Sequence, residues 1–74
     1  MYDYTSEPTA RAVMQELLAA YPALLSRHEL QRELGEPIAV EDSLDYFQRM
    51  GLVHTVDDYV WATRSAVAAE ELVT

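Results

Sequence analysis

The 74 residues predict an α+β, mostly helical domain built from a three-helix core, a β-hairpin and a short C-terminal helix. Three observations carry this. Apolar residues recur at i, i+3 and i+4 from Ala10 to Tyr21, and again at Val40, Leu44 and Phe47, the period of helices that bury one face. Ser26-Arg27-His28-Glu29 has the spacing of a capping box, and Gly35 and Gly51 stand where helices stop. Past Gly51 the pattern changes to β-branched and aromatic residues, the composition of strands. Half of the residues are hydrophobic, which suits a folded chain, and the length suits a single domain, 1–74.

A polar N-terminal arm covers residues 1–8. Ser6 or Thr9 can then cap a first helix that runs to about Ala20, burying Ala10, Val13, Met14, Leu17, Leu18 and Tyr21, until Pro22 stops it. Ala23-Leu24-Leu25 is too short for a helix and reads as an extended link. The capping box opens a second helix, Arg27 to Leu34, with Leu30 and Leu34 inward. Glu36-Pro37 turns the chain into a third helix, from about Ile38 to Met50, whose inward residues are Val40, Leu44 and Phe47. Two strand-like runs, 52–56 and 59–63, flank Asp57-Asp58, either a two-residue hairpin turn or part of a longer loop. In the two-residue case Val53, Thr55, Val60 and Ala62 share one face and His54, Val56, Tyr59 and Trp61 the other. Thr63 can cap a last helix, Arg64 to about Val73, within the C-terminal segment 64–74; this helix could cover whichever hairpin face does not pack on the other helices, through Val67, Leu72 or Val73.

Composition excludes several functions. With no cysteine there are no disulfides, thiolate zinc sites or thiol nucleophiles. His28 and His54 are far apart and read as surface or partly buried residues, so no metal or cofactor is expected. Thirteen acidic residues make neighbours such as Glu41-Asp42, Asp57-Asp58 and Glu70-Glu71 inevitable, and no Gly-rich phosphate loop exists, so no enzyme is expected. The N-terminus lacks a basic segment followed by an apolar core, and the longest apolar run, Leu17 to Leu25, is interrupted by Pro22. A membrane helix needs about 20 apolar residues, so the expected location is the cytoplasm, with no membrane partner. Lysine and asparagine are absent, a bias of a GC-rich, bacterial genome or of a salt-adapted proteome.

Helix, extended link, helix, turn, helix and hairpin, in that order, resemble the winged helix-turn-helix superfamily. The likeness runs from Thr9 to Thr63 and is sharpest from Leu25 to Val53. Leu25-Ser26-Arg27-His28-Glu29-Leu30 with Leu34-Gly35 looks like the opening of the helix-turn-helix. Val40, Leu44, Phe47 and Gly51-Leu52-Val53 look like the third helix entering the wing, as in bacterial regulators of the multiple-antibiotic-resistance and arsenic-repressor types. The resemblance implies a third helix that reads the major groove and a wing that touches the backbone beside it. It also implies transcription regulation, although such domains dock proteins too.

Charge decides between those two uses. The five cations are Arg11, Arg27, Arg32, Arg49 and Arg64, and the formal charge is −8. With Val40, Leu44 and Phe47 inward, Ile38, Ala39, Asp42, Asp45, Tyr46 and Arg49 fall on the opposite face, with Glu41 beside them. Asp57 and Asp58 form the wing tip. Five carboxylates thus occupy the surfaces a DNA-binding member presents to phosphate, where binding depends on several basic contacts. Some have bland explanations: Glu41 and Asp42 in a first helical turn favour the macrodipole by about 0.3–1 kcal/mol, and Asp57-Asp58 is turn chemistry. The first expectation is therefore a non-enzymatic module that docks a protein partner through Asp42, Asp45, Tyr46, Arg49, Tyr59 and Trp61. The alternative is a DNA-binding regulator, acting as a dimer or as part of a larger protein, that uses Arg27, Arg32 and Arg49. A small core would gain from a second copy, so a homodimer through the C-terminal helix is a further expectation.

Overall fold

A computed structural model describes residues 8–73 of the chain, with side chains through residue 71. Four helices and a three-stranded antiparallel sheet follow the order α1 (Pro8–Ala20), β1 (Leu25–Ser26), α2 (Arg27–Leu34), α3 (Pro37–Arg49), β2 (Val53–Val56), β3 (Tyr59–Ala62) and α4 (Arg64–Val73). Pro8 already stands in α1, where its fixed φ and missing N–H suit the first turn. Thr9 therefore lies inside the helix and does not cap it, while Ser6 falls outside the described residues.

The helix ends follow the chemistry of their residues. Ser26 has extended backbone, and its Oγ accepts the Glu29 N–H at 3.3 Å, closing one half of the capping box. α2 stops at Gly35 (φ 72°), whose N–H donates to the Gln31 carbonyl. α3 ends in a Schellman arrangement: the Gly51 N–H donates to the Gln48 carbonyl and the Leu52 N–H to that of Phe47, with Gly51 at φ 77°. This reversal aims β2 back over the core. Thr63 caps α4 as expected, its Oγ1 accepting the Ala66 N–H at 3.2 Å while donating to the Gly51 carbonyl at 2.8 Å.

The extended link does more than connect. Leu25 and Ser26 pair with Val60 and Tyr59, making β1 an outer strand and giving the order β1-β3-β2. β2 and β3 pair as Val53↔Ala62, His54↔Trp61, Thr55↔Val60 and Val56↔Tyr59, so the turn is the two-residue one. Asp57 takes its left-handed position (φ 52°), which Asp tolerates better than a bulky or β-branched residue.

Residues Ala10, Val13, Met14 and Leu17 of α1, Leu30 of α2, and Val40, Leu44 and Phe47 of α3 are buried together. Val53, Val60 and Ala62 of the sheet and Ala66 of α4 complete the core. Ser43 is the polar residue inside α3, and its hydroxyl donates to the Ala39 carbonyl one turn back.

Candidate interaction surface

Three features meet the solvent with chemistry to offer: the outward face of α3, the hairpin turn and the outer face of the sheet. On α3, Ile38 is 78% exposed and Asp42, Asp45 and Arg49 are exposed beside it. Arg49 lies 3.4 Å from Asp45 in an i, i+4 ion pair. Tyr46 departs from its expected outward position: it is half-buried against the core, its ring meeting Phe47 edge-on at 5.8 Å between centroids. Ala39 is half-buried as well. The inward arc of α3 is wider than three apolar residues suggest, because Ser43 is buried along with Val40, Leu44 and Phe47.

Starting α3 at Pro37 also changes the account of Glu41 and Asp42. Its first turn contains no acidic residue, so neither carboxylate sits at the positive end of the helix. Glu41 is instead held from α2: Gln31 Nε2 donates to its Oε2 at 2.8 Å, and Arg27 Nε lies 3.3 Å from the same oxygen without good hydrogen-bond geometry. Arg27, a predicted DNA contact, is thus half-buried and engaged with a carboxylate, whereas Arg32 is exposed in the last turn of α2.

The turn is not a free tip. Asp58 bonds back to α2: its Oδ2 accepts the Ser26 hydroxyl at 2.6 Å, its Oδ1 pairs closely with His28 Nδ1, and its carbonyl accepts the Arg27 N–H at 2.6 Å. The Ser26 hydrogen bond, helped by His28 and opposed by desolvation, holds the Asp58 carboxyl below its usual value. Ser, His and Asp meet here in an order unsuited to nucleophilic catalysis. In a working triad the serine hydroxyl gives its proton to imidazole, whereas Ser26 donates to the carboxylate. The cluster ties the hairpin to the start of α2. Asp57 remains exposed at the turn.

The sheet's outer face carries His54, Val56, Tyr59 and Trp61, as alternation from the buried Val53, Val60 and Ala62 requires. Val56 and Tyr59 are 56% and 51% exposed, so the terminal helix does not cover them. The His54 and Trp61 rings lie 5.5 Å apart. At this end of the hairpin an open groove of about 560 Å³ is lined by Tyr21, Pro22, His54, Trp61, Arg64 and Ser65. Tyr59 and Trp61 are expected at a surface, but Tyr21, Pro22, Arg64 and Ser65 join the groove only through the meeting of the α1 and β3 ends.

Among the described residues no group of three or more His, Asp or Glu side chains could hold a metal ion, and no helix is long and apolar enough to cross a membrane. No family model, curated protein or solved structure matches the chain.

Proposed function

We propose that the chain is a non-enzymatic interaction module of winged-helix type, acting in the cytoplasm in gene regulation through protein contacts. The order α1-β1-α2-α3-β2-β3 and a sheet with β3 between β1 and β2 support the winged-helix layout. The protein-docking choice rests on one observation. The face of α3 that would meet a DNA groove carries exposed Asp42 and Asp45, and two of the three arginines available for DNA, Arg27 and Arg49, are already beside Glu41 and Asp45. Moving such a surface onto phosphates would require breaking these pairs and desolvating carboxylates against a like charge. The exposed Ile38 offers a partner an apolar contact on the same helix.

The DNA-binding alternative retains Arg32 and Arg49, which are exposed. Retardation of random duplex DNA at low salt distinguishes the two readings, because non-specific binding is strongest there. The protein-docking reading expects no shift. A clear shift that collapses with added salt refutes it.

A further inference from the structure

We infer that the outer face of the sheet is a two-fold interface between copies of this chain. In it, Val56 and Tyr59 of one copy enter the groove of the other between Tyr21, Trp61 and Arg64, and Asp57 meets the partner copy's arginine. The inference does not depend on the winged-helix reading and concerns a different surface from α3.

Four observations along one face support it. Its strand positions, His54, Val56, Tyr59 and Trp61, carry no carboxylate, in a chain with thirteen. Leu24, just before β1, is 53% exposed and adds to the apolar surface, while β1 itself sets Ser26, bonded to Asp58, beside Tyr59. The face is also shaped differently at its two ends. Large apolar side chains stand exposed at the turn, while a groove of about 560 Å³ opens at the other end. Finally, the ends differ in charge. Asp57 is exposed at the turn and Arg64 at the groove, and neither has an ion-pair partner among the described residues.

A two-fold axis lying in the plane of the interface, perpendicular to the strands, exchanges its ends. Under that operation each projection faces a groove and each Asp57 faces an Arg64, the self-complementarity that an isologous interface needs. Two short sheets can stack in this way with their outer side chains interdigitated. The overall charge of −8 opposes any meeting of two copies, but at physiological ionic strength it is screened over about 8 Å, whereas contacts inside the interface are screened less.

Sedimentation velocity of the full chain from about 10 to about 500 µM, at physiological salt, provides the test, with Trp61 emission followed in parallel. The expected result is reversible dimerisation with a blue shift of the Trp61 band as concentration rises. The uncharged double variant Val56→Ser, Tyr59→Ser should weaken association by about tenfold or more. Asp57→Arg and Arg64→Asp should each weaken it about three- to tenfold, and together restore it. Asp57→Arg also lowers the net charge from −8 to −6, so strengthening by that change alone would show that only bulk repulsion matters and would overturn the proposal. A monomer across the whole range overturns it too. So does a dimer indifferent to the Val56 and Tyr59 changes, which is the outcome expected of pairing through α4. Circular dichroism of each variant distinguishes lost association from lost folding.

Discussion

Thr63→Ala tests how the start of α4 is held to the turn that follows α3. Thr63 is 7% exposed, and its hydroxyl makes two contacts: it donates to the Gly51 carbonyl at 2.8 Å and accepts the Ala66 N–H at 3.2 Å. Removing a Thr cap costs about 1 kcal/mol. The lost bond to Gly51 adds about 1 kcal/mol; Gly51 is exposed, so water can replace the donor and the larger cost of an orphaned buried acceptor does not apply. The deleted methyl adds about 0.8 kcal/mol. The sum, about 2–3 kcal/mol, is a large part of the roughly 4–11 kcal/mol expected for a chain of this length. In urea, with a slope of about 1 kcal/mol/M for so small a domain, the midpoint should fall by about 2–3 M. Thr63→Ser keeps the hydroxyl and should lose only about 1 kcal/mol. Equal losses in the two variants, or a Thr63→Ala midpoint within about 0.5 M of the parent, would refute the argument that the hydroxyl is what matters.

Leu30→Ala should cost about 2–5 kcal/mol by urea unfolding, because Leu30 is 2% exposed and is the buried side chain through which the two-turn α2 reaches the core. Asp58 makes stability depend on acid. Its folded-state pKa is lowered, so its contribution is complete above the unfolded value of about 3.9 and disappears as pH falls through the lower folded value. Unfolding curves of the parent and Asp58→Asn between about pH 6 and pH 2 should therefore differ at the upper end and converge at the lower; a gap that widens on acidification contradicts the latch.

The long elements were readable because their signals are local and repeated. Ala10, Val13, Met14 and Leu17 mark the buried face of α1 through spacing alone, and Gly35 and Gly51 mark helix ends through a backbone conformation that glycine enters cheaply. The hairpin faces follow from alternation because Asp57-Asp58 is the whole turn. What escaped depends on contacts between distant positions. Leu25-Ser26 carries too few residues for any period, and its strand character comes from Val60 and Tyr59 more than thirty positions away. Asp58 reads as turn chemistry until folding brings it to Ser26 and His28. Tyr46 lies further inward than its spacing suggests because three apolar residues understate the inward arc of α3, which includes the polar Ser43. The groove had no signal, since Tyr21, His54, Trp61 and Arg64 come from separate segments.

The strand order has a consequence for synthesis. β3 is the last strand to be made, yet it lies in the middle of the sheet and brings Val60 and Ala62 into the core. A nascent chain that has emerged only as far as Gly51 holds all of α1, β1, α2 and α3, but β1 has nothing to pair with and the apolar faces of the helices lack their cover. Long-range pairing must wait for residues 59–62, and then follows a hairpin that can close locally and receive β1 on its free side. For this domain, vectorial emergence from the ribosome leaves its apolar interior incompletely covered until residues 59–62 are out, the interval in which a small domain is most open to aggregation and proteolysis.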